Sequence, residues 1–162
     1  MPLYSEVIND EKILQILQGK YQTVLLIGCG ACMNESLAYK YALPITINST
    51  SVPFATVNEL IRLADLLNKN GYYAKIKFYN NLNGFFCMEN ISIDNYPVGN
   101  LDSFDIILIL SCSAGYMALC DKFPYKKIVK ITKPLGSIFY AYDDKNNQRK
   151  IVKSESQIIY FH

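Results

Sequence analysis

Cysteine is the residue type in this chain with the widest choice of chemistry. Five are present, at positions 29, 32, 87, 112 and 120 of 162 residues. Two of them form the loop Cys29-Gly30-Ala31-Cys32, whose spacing lets both sulfurs turn toward one centre. Thiolates in such a loop can hold a tetrahedral zinc or an iron–sulfur cluster. They can also cycle between dithiol and disulfide, or simply pack as small apolar groups. Gly28 and Gly30 flank Cys29, so the backbone can bend tightly there and offer N–H groups to a thiolate or sulfide. A further reading makes Cys29 a nucleophile at a strand–helix turn, acting on a small molecule or nucleotide, and another makes the chain a metal-free binding module that uses an aromatic surface.

Other chemistries are poorly served. The only histidine is His162, so a Ser-His-Asp or Cys-His arrangement would rely on a tail residue. Gly28-x-Gly30 lacks the third glycine of the dinucleotide fingerprint, and there is no P-loop. Asp102, Asp105 and Asp121 read as cap or surface carboxylates. The net charge is +2 and Arg62 and Arg149 are the only arginines, a weak field that argues against nucleic acid as a partner. Lys126, Lys127, Lys130 and Lys133 read as solvated lysines flanking a strand.

The elements around the cysteines follow from patterning. The stretch 4–18 predicts a first helix, with a break near Asn9-Asp10 and a stop at Gly19. The continuous apolar run 23–27 suits a parallel strand covered on both faces, and a helix follows over 31–41. A polar loop is expected at 44–54. Thr56 and Glu59 have capping-box spacing ahead of a helix with Val57, Leu60, Ile61, Ala64 and Leu67 on one face, closed at Gly71. Strands are predicted at 72–78, 104–110 and 127–131, with a short helix from the Ser111–Gly115 turn to about Leu119. Asn80-Asn81 and Asn83-Gly84 signal turns, and Cys87 begins a short helix. Two or three closing strands fall in 136–142 and 150–161, with a turn at 143–147 and a role as dimer edge or sheet cover.

Strands alternating with helices predict one α/β domain over 1–162. Its expected core is a flavodoxin- or Rossmann-like open parallel sheet of about five or six strands, with helices on both faces and a C-terminal β extension. Ligands of such sheets bind beyond the carboxyl ends of the strands. Cys29 and Cys112 directly follow two strands, and Cys87 lies in the loop after a third. Cys29, Cys32, Cys87 and Cys112 are therefore expected at one rim, as ligands of one zinc ion or one iron–sulfur cluster. Cys120 lies down a helix, away from that rim.

Composition is 51% hydrophobic and 19% charged, as in folded globular chains. No stretch reaches the roughly 18 apolar residues of a membrane helix, and the N-terminus lacks signal-peptide layout. The expected compartment is the cytoplasm, where an odd set of cysteines does not suggest a disulfide framework.

The run from Val24 to Cys32 with its preceding helix, and the Leu110–Gly115 turn, resemble the small zinc- or iron–sulfur-binding subunit of bacterial methylenetetrahydrofolate reductase, which also occurs as a C-terminal domain of that enzyme. The resemblance spans roughly residues 5–131, with helix 56–70, strand 72–78 and Cys87 in the family's order. It implies that Cys29, Cys32, Cys87 and Cys112 are metal or cluster ligands. It also implies an accessory, non-catalytic or electron-transfer role beside a redox or folate enzyme subunit in one-carbon metabolism. The chain departs from the family at Ser36, where a further cysteine is usual, at Ser113, where glycine is usual, and at 44–54, where a Gly-Gly is replaced by a polar loop. One four-thiolate site is compatible with this set, and a second cluster is not.

Overall fold

The computed structural model describes residues 2–48, 52–78 and 103–162. The expectations for residues 79–102, Cys87 included, lie outside the described residues. Strands and helices run in the order β1 (Leu3–Val7), α1 (Asp10–Leu17), β2 (Thr23–Gly28), α2 (Cys32–Tyr41), β3 (Thr46–Ile47), α3 (Phe54–Lys69), β4 (Tyr73–Phe78), β5 (Ile106–Leu110), α4 (Ser113–Lys122), β6 (Ile128–Lys130), β7 (Thr132–Phe139), β8 (Tyr142–Lys145), β9 (Gln148–Ile151) and β10 (Gln157–Tyr160).

The core is a four-stranded parallel sheet in the order β4-β2-β5-β6. Its two central strands contribute Val24, Leu25, Leu26 and Ile27 from β2 and Ile106 to Leu110 from β5, all buried. Uninterrupted β-branched and leucine side chains are what a strand covered on both faces requires. At the N-terminal ends of these strands, the Asp105 carboxylate accepts from the backbone N–H groups of Gln22 (2.8 Å) and Thr23 (3.0 Å). Those bonds hold its pKa below the usual carboxylate range.

Two antiparallel sheets complete the molecule, ordered β1-β7-β10 and β3-β9-β8. Among the described residues the parallel sheet therefore has four strands, where five or six were expected, and the remaining strands pair antiparallel. The predicted first helix is a strand and a helix. Asn9 separates them and caps α1, its side chain accepting from Lys12 N–H at 2.9 Å. Residues 3–7 instead pair with β7, whose distant sequence supplies the hydrogen bonds. The turn expected over 143–147 is confined to Asn146 and Asn147, both left-handed (φ 53° and 58°), and residues 142–145 are a strand. Paired positive φ values suit a two-residue hairpin loop.

The capping box predicted at Thr56 and Glu59 is not formed. The helix starts earlier, at Phe54, with no side-chain bond from its cap residue Pro53. Glu59 instead pairs with Arg62 at 2.7 Å. Thr56 has a different task, described below.

Candidate functional site at the carboxyl rim of the parallel sheet

Numbered along the chain within the parallel sheet, the strand order is second, first, third, fourth. The order reverses at β2, so the chain leaves β2 and β5 in opposite directions. A crevice opens at such a reversal, beyond the carboxyl ends of the strands. Gly28 lies opposite Leu110 in the β2–β5 register, and Cys29 N–H continues the ladder to the Leu110 carbonyl at 2.9 Å. Thus Cys29 and the Ser111-Cys112 turn leave adjacent strands side by side. β4 ends at the same rim, with Phe78 opposite Gly28 on the other flank of β2.

Side chains from neighbouring helices fix the first turn. Thr56 Oγ1 donates to the Cys29 carbonyl at 2.9 Å. Thr56 N–H, a first-turn donor of α3 with no partner inside the helix, is accepted by Asn34 Oδ1 at 2.9 Å. Asn34 Nδ2 in turn donates to the Ile45 carbonyl at 3.2 Å. Asn34 and Thr56 are fully buried. This relay ties the Cys29 loop, α2, α3 and the segment before β3 into one unit. It also explains the failed capping box, since α3 is capped by a distant asparagine.

Gly28 serves packing. A Cβ there would stand 2.5 Å from Thr56 Cγ2 and 2.8 Å from Leu60 Cδ1. The missing side chain lets α3 lie directly on β2. Gly30 is buried in the loop itself.

The cysteines differ in setting. Cys29 is 5% exposed and packs within the core cluster. Cys32 is the first residue of α2 and half-buried, and Cys112 is the cap residue of α4 and half-buried. Access of the kind a nucleophile needs belongs to Cys32 and Cys112 more than to Cys29. Cys120 lies two turns into α4, half-buried against the core. The described cysteines are not disulfide-bonded to one another. Among the described residues, no three Cys, His, Asp or Glu side chains are grouped to hold a metal ion. Cys29, Cys32 and Cys112 share a rim but are not grouped as a trio that could hold a metal ion; Cys87 lies outside the described residues.

Polar side chains that the sequence did not single out surround Cys32. The Tyr142 hydroxyl donates to Glu35 Oε1 at 2.7 Å, and the Arg149 guanidinium lies 5.4 Å from the centre of the Tyr142 ring. Burial pushes the Glu35 carboxyl up, outweighing the hydrogen bond and the nearby arginine, which act downward. Burial likewise raises the Tyr140 and Tyr142 phenols, and the sulfur of Cys32 adds to both shifts. The Tyr140 hydroxyl is buried against Ser36 without a hydrogen bond in good geometry among the described residues. Nothing in the spacing of these residues announces the cluster. It forms because β8 and β9 fold back over the start of α2.

Ser36, the residue in place of the resembled family's extra cysteine, is fully buried. Its oxygen accepts from Ser5 N–H at 3.1 Å and lies within bonding distance of the Leu3 carbonyl (3.2 Å) and the Cys32 carbonyl (2.9 Å). One hydroxyl proton serves those two carbonyls in turn. The side chain thereby occupies the outer edge of β1, as a neighbouring strand would.

No family model, curated protein or solved structure matches the chain. No helix among the described residues is long and apolar enough to cross a membrane.

Proposed function

We propose that this protein is an accessory protein of a redox enzyme, carrying one four-thiolate site at the carboxyl rim of its parallel sheet. Cys29, Cys32, Cys87 and Cys112 are the ligands in this reading. The observation that carries it is the Gly28–Leu110 register, which brings the Cys29–Cys32 loop and Cys112 to adjacent strand ends at the reversal of strand order. That order is the one found in flavodoxin-like sheets, whose ligands sit at the same reversal. The donors are all sulfur, which suits zinc or an iron–sulfur cluster and disfavours hard cations. When bound, zinc would fasten the three rim segments together, and a cluster would carry an electron.

The chain's own residues have separable tasks. Thr56 and Asn34 hold the Cys29 backbone still, so the loop is organised before a ligand arrives. Cys32 and Cys112 stand at helix N-termini, half-buried, where first-turn backbone N–H groups lack partners inside the helix and can donate to a bound sulfur. A folate or redox enzyme as partner, implied by the resemblance at Val24–Cys32 and Leu110–Gly115, and the cytoplasm as compartment complete the proposal.

Anaerobic purification followed by iron, sulfide and zinc analysis tests it. About one zinc per chain, or one cluster with a broad band near ~400 nm, is the expected result. Cys87→Ser and Cys112→Ser should each lose most of that metal. Wild-type protein with only trace metal from both aerobic and anaerobic preparations would overturn the proposal.

A further inference from the structure

The edges of the three sheets are protected in different ways, and among the described residues one is bare. An edge strand exposes unpaired N–H and C=O groups, and natural proteins guard such edges with charge, brevity or cover. The outer edge of β1 is covered by α2 through Ser36. β4 carries Lys75 and Lys77, β6 carries Lys130 beside Lys126 and Lys127, and β8 carries Asp143 and Asp144. β3 has only two residues. β10 has none of these devices: Gln157, Ile158, Ile159, Tyr160 and the following Phe161 bear no charge. Among the described residues it has β7 on one side and no strand on the other.

The backbone of β10 is set to pair outward. Phe161 N–H donates to the Leu135 carbonyl at 2.9 Å, and Ile159 lies opposite Ser137. In an antiparallel ladder alternate residues bond to the same neighbour. The N–H and C=O groups of Ile158 and Tyr160 therefore point away from β7. A Cβ at Gly136 would collide with the Ile159 carbonyl oxygen, so glycine at this position lets β10 lie close against β7. Beside the open edge stand Phe139, Ile159, Tyr160 and Phe161, each at least half exposed.

We infer that β10 pairs with β10 of a second copy of this chain, joining two three-stranded sheets across a two-fold axis. The charge pattern of the edges selects a second copy at β10: only there does self-pairing set no like charges face to face among the edges compared. A two-fold pairing of β4 sets Lys75 against Lys77, and one centred on Asp144 sets that carboxylate against its own copy. Antiparallel pairing of β10 centred on Ile159 sets Ile158 opposite Tyr160 and Gln157 opposite Phe161, with no like charges facing. Ile158 and Tyr160 then exchange four backbone hydrogen bonds across the axis, and the two Ile159 side chains meet on the outer face. This dimer concerns a different edge from the cysteine rim and stands whether or not the rim binds metal.

Sedimentation velocity on the full chain tests the inference, with two variants. Tyr160→Pro removes one outward N–H per copy, hence two of the four bonds, and leaves the β7 ladder intact, because proline is tolerated where its missing N–H would face solvent. Ile159→Lys sets two ammonium groups face to face. Wild type is expected to sediment at twice the chain mass, and each variant should weaken dimerisation by at least about fivefold while keeping the wild-type circular dichroism. If a variant fails to fold, amide exchange on the wild type decides: Ile158 and Tyr160 should gain protection as concentration rises. A wild type that is monomeric up to its solubility limit, a dimer unchanged in both folded variants, or exchange at Ile158 and Tyr160 independent of concentration would overturn the inference. So would a monomer that takes up an added extended peptide at β10 instead of a second copy.

Discussion

Two cysteine-bearing turns leave adjacent strands of the same sheet, and they are held by different means. The turn after β2 is buried and pinned from outside, with its Cys29 carbonyl bonded to Thr56, Thr56 bonded to Asn34, and Asn34 bonded to the Ile45 carbonyl. The turn after β5 is held partly by its own residues and helix and partly by β7. Ser111 Oγ donates to the Cys112 carbonyl at 2.9 Å, Tyr116 N–H donates to the same oxygen at 3.1 Å, and Thr132 Oγ1 donates to the Ser111 carbonyl. Beyond Cys112, Ser113 and Ala114 are exposed. The difference teaches how a rim can be half rigid and half open: one turn is a fixture of the core, the other a helix start facing solvent.

Breaking the first turn should cost the most. Asn34→Ala strands one buried backbone group, Thr56 N–H, while the Ile45 carbonyl keeps its bond from Phe54 N–H, and is expected to lower stability by about 1–3 kcal/mol in urea denaturation. If the loop is organised by this relay, the variant should also lose metal at chelator concentrations the wild type withstands. An Asn34→Ala protein within about 0.5 kcal/mol of wild type would show that the relay is idle.

The second turn should yield less. Thr132→Val removes one hydrogen bond to the Ser111 carbonyl and keeps the side-chain shape, so about 0.5–1.5 kcal/mol is expected from the same denaturation curves. A larger loss than that of Asn34→Ala would reverse the contrast between the turns.

The smallest effect concerns the polar cluster over Cys32, and it depends on pH. The Glu35 carboxyl is raised in the folded state, so folded protein holds that proton over a range where unfolded chain has released it. Its contribution is fully present below the unfolded pKa and is lost as pH rises through the folded one. Glu35→Gln removes this dependence, and Tyr142 can still donate to the amide oxygen. The variant should therefore gain stability relative to wild type on going from about pH 4 to about pH 7. A difference that stays constant with pH would mean that burial of Glu35 is not felt.

What the sequence disclosed and what it hid have a common physical origin. Within the runs 23–27 and 104–110, the stretches 24–27 and 106–110 are legible because a strand covered on both faces needs every side chain to be apolar. The Cys29–Cys32 loop and Cys112 are legible at the rim for the same reason, since each directly follows such a run. Gly19 and Gly71 mark helix ends through left-handed φ values of 71° and 88° that they alone adopt without strain. The first strand was hidden because Val7 and Ile8 continue the apolar stripe of α1, while its pairing partner β7 lies near the other end of the chain. The hairpin of β8 and β9 was only partly visible, because Asp143, Asp144, Arg149 and Lys150 give it the polarity of a loop. The roles of Ser36, Asn34 and Thr56 depend on tertiary neighbours, and local spacing pointed to a capping box that the fold does not use.

In the proposed site, four cysteines from three rim segments share one zinc ion or one cluster. X-ray absorption at the metal edge on anaerobically purified protein tests it most directly. The expected result is a sulfur-only first shell at about 2.3 Å with four sulfurs per metal; in whatever metal Cys112→Ser retains, a single zinc falls to three sulfurs, and in a cluster only the iron held by Cys112 loses one. A shell of nitrogen or oxygen donors, or an identical four-sulfur shell without Cys112, would contradict it.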